Sequence, residues 1–436
     1  MANIVAIVGR PNVGKSTFFN RMIEQKKSIT DNQSGVTRDR IYGQAEWQNK
    51  LFTLIDTGGY VVGSNDVFEE SIREQVEIAI EEAKVILFMV DCQTGLTDLD
   101  KEFAKVVRKA NKPVYVVANK ADTAKELFTA NEFYALGWEK IFPISSQTGS
   151  GTGDLLDEIV KYFPSPEKED ETSKLPKLAI IGRPNVGKSS FMNTLLGKQR
   201  SIVTDIAGTT RDSVNSHYKA FGKEFILIDT AGIRRKSRIK NNLEFYAILR
   251  AVKAIEESDV CIIMLDATRG IESQDVNILG LAERNGKGMV IMVNKWDLIE
   301  KDTHTAKKFT EQIRERLPHA DYVPIIFTSV LEKQRIFQTI EKAIKVYENK
   351  TRKVPTSQLN EVMLAAIEAY PPPAVKGKLI KIKYITQIAQ AKTPTFLFFC
   401  NLPQYIQPPY QRYLENQLRK AFDFEGVPLQ LFFRKK

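Results

Sequence analysis

Long hydrophobic runs are missing from this sequence. No apolar stretch among its 436 residues approaches the ~18 needed to cross a bilayer, and the longest, such as VILFMV at 85–90, have the length of a buried strand. Cysteine is scarce as well. Cys92, Cys261 and Cys400 are odd in number and have no C-x-x-C spacing, which excludes a disulfide scaffold or cysteine zinc site and fits a reducing compartment. The three histidines, His217, His304 and His319, form no ligand spacing. The N-terminus MANIVAIVGR enters a strand-like run at once, without a basic leader or cleavage-site pattern. These absences predict a cytoplasmic protein with no membrane span.

What is present is unevenly charged. The net charge is +10, but residues 1–175 carry 21 Lys/Arg against 27 Asp/Glu, a net of −6. Residues 176–350 carry 29 against 21 and residues 351–436 carry 13 against 5, so each nets +8. A basic surface of this kind suits a polyanionic partner, and equally suits a merely soluble basic surface.

The octapeptide GRPNVGKS occurs at 9–16 and again at 182–189. Sliding the sequence against itself at an offset of 173 pairs Lys15 with Lys188, Thr37 with Thr210 and Asp56 with Asp229. Asn119 meets Asn294 at an offset of 175, and Ser145 meets Ser329 at 184. The chain therefore contains a duplicated domain with small insertions between fixed landmarks. Each copy alternates strand-like and helix-like stretches, which predicts an α/β fold with a parallel-rich sheet covered on both faces. Domains are expected at 1–163 and 176–350, joined by the proline- and acid-rich stretch PSPEKEDETSK within 164–175, with a third at 351–436. That last segment reads helix–strand–strand–helix–strand, the order of a small α+β layer.

G-x-x-x-x-G-K-[ST] between a strand and a helix is a phosphate-binding loop. Gly9 and Gly14, with Gly182 and Gly187 in the second copy, let the backbone turn and approach phosphate closely. Backbone N–H groups along Asn12, Val13, Thr17 and their counterparts Asn185, Val186, Ser190 ring the phosphates. Lys15 and Lys188 reach the β- and γ-phosphates, and the hydroxyls of Ser16 and Ser189 suit Mg²⁺. Asp56 and Asp229 each end an apolar strand as part of D-T-x-G, where the carboxylate helps hold Mg²⁺ and Gly59 or Gly232 meets the γ-phosphate.

Base choice is written in Asn119-Lys120-Ala121-Asp122 and Asn294-Lys295-Trp296-Asp297. An aspartate accepts from N1–H and the 2-amino group of guanine, a donor pair that adenine lacks, so GTP and GDP are favoured over ATP. Ser145 and Ser146, with Ser329 and Val330, supply loops whose backbone can approach guanine O6. Thr37 and Thr210 fall between loop and D-T-x-G, where each could ligate Mg²⁺ only while the γ-phosphate is present.

Two domains with GRPNVGKS, a TRD switch, D-T-x-G and NKxD, followed by a short basic domain, resemble the EngA/Der GTPases over essentially the whole chain. The resemblance implies a KH-like C-terminal domain and a role in ribosome biogenesis, with the large ribosomal subunit or its precursor, rRNA included, as partner. A monomer is expected. It further implies potassium-assisted hydrolysis, because Asn12 and Asn185 match the phosphate-loop asparagine of potassium-using relatives. Tyr60 and Ile233 stand where many small GTPases place a water-orienting glutamine. Asn12, Thr37 and Gly59, with Asn185, Thr210 and Gly232, are thus the candidate catalytic residues. The C-terminal segment has no G-x-x-G, the loop that clamps RNA in KH modules, so two readings stand: electrostatic rRNA contacts through Lys376, Lys378, Lys381, Lys383, Arg419 and Lys420, or a segment that chiefly holds the G domains in place. The rival reading is a GTP-dependent protein scaffold with no direct RNA contact. A small-molecule kinase is disfavoured by NKxD in both copies.

Overall fold

The computed structural model describes residues 3–30, 42–48, 50–58, 68–163, 175–196, 204–205, 215–220, 222–228, 243–375, 377–389 and 391–435. The chain divides into two compact units, Met1–Ser173 with Arg234–Leu249, and Lys174–Ile233 with Arg250–Lys436.

The first unit is built on a six-stranded sheet. From one edge to the other its strands are Tyr42–Trp47, Lys50–Asp56, Ile4–Val8, Val85–Asp91, Val114–Asn119 and Ile141–Pro143. All neighbours run parallel except the first pair, an antiparallel hairpin that the polar sequence YGQAEW did not signal. Val85–Asp91 is buried at every position, as an uninterrupted apolar run covered on both faces should be. Register places Ile7 beside Asp56, so the strand that delivers the phosphate loop is level with the end of the strand that delivers the carboxylate.

The second unit repeats this plan in seven strands, ordered Ile325–Phe327, Gly288–Asn294, Val260–Asp266, Lys177–Ile181, Lys223–Ile228, Asn215–Ala220 and Thr204–Asp205. The first five are parallel and the last two are added antiparallel. The same unit contains a three-stranded sheet of Ile382–Gln387, Thr395–Cys400 and Gln430–Lys435, antiparallel then parallel. Its helices Thr356–Ala369 and Pro408–Phe422 bury Leu359, Met363 and Ile367, and Tyr410, Leu414, Leu418 and Phe422, against it. The order is the helix–strand–strand–helix–strand expected. The first strand begins later than the run KLIKIKYIT suggested, because Lys378 pairs back onto Val375 in a tight turn. Phe396 and Phe398 are core residues, whereas Phe399 is half-buried beside Tyr384.

A polar seam joins the small sheet to the larger one. Met289 N–H donates to the Gly426 carbonyl at 2.7 Å, and Gly426 N–H donates to the Tyr322 carbonyl at 2.7 Å. Tyr322 hydroxyl donates to Glu283 at 2.7 Å, and the Arg419 guanidinium lies 3.9 Å from the centre of the Tyr322 ring. Val427 belongs to the same apolar cluster as Val290, Met292 and Val346.

Candidate functional site

Each phosphate loop starts where a buried parallel strand stops, which aims successive N–H groups past the sheet edge. Gly9 has φ 149°, and a Cβ there would lie 2.3 Å from the Met89 carbonyl oxygen. Gly14 has φ 96°, and its Cβ would fall 2.2 Å from Asn119 Nδ2. A Cβ on Gly182 would likewise lie 2.4 Å from the Met264 carbonyl oxygen, and one on Gly187 2.3 Å from Asn294 Nδ2. Glycine at these positions is a requirement of close packing under the loop. Asn12 and Asn185 occupy the left-handed region at φ 67° and 65°, a conformation asparagine tolerates better than most residues. Both are exposed, as are Thr17 and Ser190.

Lys15 is buried, and its Nζ donates to the Gly9 and Arg10 carbonyls at 2.8 Å each. Burial pushes its pKa down to about 8, with Asp56 opposing that shift and Arg10 adding to it. Lys188 holds the Gly182 and Arg183 carbonyls at 2.8 and 2.6 Å. Ser16 Oγ donates to Asp56 Oδ2 at 2.6 Å, placing a hydroxyl and a carboxylate side by side. Oxygen donors of this kind suit a hard cation such as Mg²⁺. Ser189 is the matching hydroxyl of the second copy, half-buried at the start of helix Lys188–Leu196.

The base-side loops are tied directly to the phosphate loops. Asn119 Nδ2 donates to the Val13 carbonyl at 2.7 Å, while its Oδ1 accepts from Ser146 N–H at 2.9 Å and Ser146 Oγ at 2.8 Å. Asn294 repeats this, donating to Val186 O at 2.8 Å and accepting from Val330 N–H at 3.0 Å. Lys120 and Lys295, at φ 62° and 61°, reach Asp91 and Asp266 at 2.6 and 2.5 Å. Burial alone would raise the Asp91 carboxyl, but hydrogen bonds from Lys120, Gln93 N–H and Thr94 outweigh it and hold it below its ordinary value. Asp266 is held low in the same way by Lys295 and Thr268, against the upward push of burial. Ser145 Oγ accepts from Thr148 N–H, and Ser329 Oγ from Glu332 N–H, closing the turns that present Ser146 and Val330. Asp122 is exposed and Asp297 half-buried, so both carboxylates remain open to a base.

The structure thus brings together Gly9, Asn12, Val13, Gly14, Lys15, Ser16, Thr17, Asp56, Asn119, Lys120, Asp122, Ser145 and Ser146 around one loop, and their described counterparts around the other. Thr37, Gly59, Tyr60, Thr210, Asp229, Gly232 and Ile233 lie outside the described residues. Sequence reasoning missed Asp91 and Asp266, which orient the NKxD lysines, and Asp100 and Asp275, which pair with Arg10 and Arg183. The signal was available: both aspartate pairs stand 175 residues apart, the offset of Asn119 and Asn294. Of the candidate RNA contacts, Arg419 is committed internally to the Phe424 and Val427 carbonyls and to Glu415. Lys378, Lys381, Lys383 and Lys420 are exposed, and Lys376 lies outside the described residues.

Two family models match parts of the chain. The family model described as 50S ribosome-binding GTPase matches residues 4–120 and 177–295. The model described as the KH-domain-like C-terminal part of EngA bacterial GTPase enzymes matches 353–434. GTPase Der of Cytophaga hutchinsonii is 61% identical over 436 residues, covering 100% of both chains. GTPase Der of Amoebophilus asiaticus is 60% identical with the same coverage, and that of Bacteroides fragilis is 53% identical over 438 residues, again covering both completely.

Proposed function

The chain belongs to the GTPase Der (EngA) family and is a GTPase, and from that premise we propose that it carries two separate guanine-nucleotide sites and works as a switch on the large ribosomal subunit. The observation that carries the two-site reading is the asparagine bridge. In both copies one buried amide fixes the base-side turn and the phosphate loop at once. A nucleotide spanning these two loops finds its base and phosphate contacts already at a fixed separation, which reduces the ordering that binding requires.

Within each site the chain's own groups have distinct tasks. Asp122 and Asp297 accept from N1–H and the 2-amino group of guanine. Lys15 and Lys188 move from loop carbonyls to β- and γ-phosphate oxygens, and the loop N–H groups hold the remaining oxygens. Ser16, Asp56 and Thr37, with Ser189, Asp229 and Thr210, would hold Mg²⁺, which supplies neutralisation of charge on the β- and γ-phosphates. Thr37 and Gly59, and Thr210 and Gly232, sense the γ-phosphate; water attacks its phosphorus, the bond to the GDP oxygen breaks, and GDP and phosphate leave. Asn12 and Asn185 would hold K⁺ beside the phosphates, where a cation offsets developing charge.

The ribosomal partner is supported by the name of the matching family model and by the exposed lysines of the C-terminal segment. Their charge suits rRNA phosphates without base reading. Asp122→Asn and Asp297→Asn test the two sites separately. An asparagine amide donates where the aspartate accepted, matching the 2-oxo group of xanthine. Each variant should lose guanine binding at one site and gain xanthosine nucleotide there. Sedimentation of each variant with ribosomal subunits, with either nucleotide type, tests the switch. Particle association indifferent to nucleotide, or ribonuclease-insensitive binding to proteins alone, would favour the scaffold reading.

A further inference from the structure

The second residue of each loop is an arginine, and the two are anchored differently although the loops are identical in sequence. Arg183 Nε lies 2.9 Å from Asp275 Oδ2, its Nη2 donates to the Gly270 carbonyl at 3.0 Å, and its Nη1 forms an ion pair with Glu272. Arg10 has one comparable contact, Nε 3.3 Å from Asp100 Oδ1, with its Nη2 4.0 Å from Asp91. The Arg183 side chain is 4% exposed and that of Arg10 12%.

The two arginines face differently capped helices. Asp100 and Asp275 both lie in the first turn of a helix, and the residue capping that helix is Thr97 in the first copy and Glu272 in the second. Thr97 donates both its N–H, at 3.1 Å, and its hydroxyl, at 2.7 Å, to Asp100 Oδ2. These bonds compete with Arg10, whose Nε is 3.4 Å from that same oxygen. Glu272 has no hydroxyl to compete with, donates only its N–H to Asp275, and adds a second carboxylate. Arg269, 3.0 Å from Glu272, holds that carboxylate in place.

We propose that Arg183, clamped by Asp275 and Glu272, is a positioning residue that makes the second phosphate loop the stiffer of the two and slows nucleotide release from it, and that the Thr97/Glu272 difference sets this contrast. Arg10 and Arg183 contribute the loop carbonyls that receive Lys15 and Lys188, so fixing the arginine fixes the floor of the phosphate site. A loop already held in its binding conformation loses less freedom when it closes on phosphate, and such gains appear mainly in the dissociation rate. The inference rests on the two-site reading above.

The test uses the full chain, fluorescent GDP and magnesium buffer, with Asp297→Asn reporting first-site release and Asp122→Asn reporting second-site release. Glu272→Thr should speed second-site release about two- to fivefold, the range of a partly exposed ion pair. Thr97→Glu should slow first-site release, a gain that a merely structural residue would not produce. Unchanged release in both variants, with or without a shift in melting temperature, overturns the inference while leaving the two sites intact. Failure of either aspartate variant to isolate a site refutes the two-site reading itself, and the inference with it.

Discussion

Asn119 Nδ2 lies 2.7 Å from the carbonyl oxygen of Val13, a residue 106 positions earlier in the chain. This buried bond makes the base-side turn and the phosphate loop one piece. Asn119→Ala leaves the Val13 carbonyl and Ser146 N–H without this partner, and a buried polar group so orphaned costs about 1–3 kcal/mol. Guanine-nucleotide affinity at the first site should fall about tenfold, and Asn294→Ala should do the same at the second. Equilibrium titration at each isolated site checks this. Affinity preserved in either variant would show that the bridge is dispensable.

Lys15 predicts a pH dependence. Its pKa is pushed down to about 8 by burial, and bound phosphates would stabilise the charged form. Binding above pH 8 should therefore take up a proton, and first-site affinity should fall about fourfold between pH 7 and 8.5. Calorimetry in buffers of different ionisation enthalpy reads the uptake directly. Stability without nucleotide moves oppositely. The unfolded lysine, near its ordinary 10.5, holds more protons than the folded one between about pH 8 and 10.5, so this group's penalty fades as pH rises through that window. Affinity flat across pH 7–8.5 would exclude the phosphate role of Lys15.

Asn12 and Asn185 predict a cation preference. Each is exposed on a loop residue in the left-handed region, with its side chain free of any role in the core. GTP turnover should be faster in K⁺ than in Na⁺ at equal ionic strength, and Asn12→Ala with Asn185→Ala should remove the difference while leaving GDP binding. Equal turnover in the two salts would restrict these asparagines to shaping the loop.

The phosphate loops and the strands beneath them were legible because both follow local rules: glycine spacing for the loops, uninterrupted apolar runs for strands covered on both faces. The hairpin strand Tyr42–Trp47 was not, since YGQAEW has neither clean alternation nor a continuous apolar run. Asp91 and Asp100 escaped notice because an acidic residue after a strand or in a first helical turn is ordinary. Only the fold shows that Lys120 and Arg10 converge on them. The internal bonds of Arg419 were not legible either. Its charge is visible in sequence, whereas the two carbonyls that claim it belong to the turn after its helix.

That distinction between Arg419 and its neighbour Lys420 separates structural from electrostatic roles in the C-terminal segment. Arg419→Ala removes bonds of 2.9 and 2.8 Å to the Phe424 and Val427 carbonyls and the guanidinium over Tyr322. Gly426→Ala attacks the same seam: at φ 77° its Cβ would lie 2.3 Å from Val346 Cγ2 and 2.9 Å from the Met289 carbonyl. Each should destabilise the second unit by about 1–3 kcal/mol and loosen residues 353–434 to proteolysis. Lys420 is exposed, so Lys420→Ala should leave melting within about 0.5 kcal/mol. It should instead weaken binding to ribosomal RNA and flatten its dependence on salt, as loss of one phosphate contact requires. Melting curves and RNA titrations over a salt series on the three variants decide the matter. RNA binding untouched by Lys420→Ala, together with an unchanged salt slope, would remove this lysine from the RNA-facing surface.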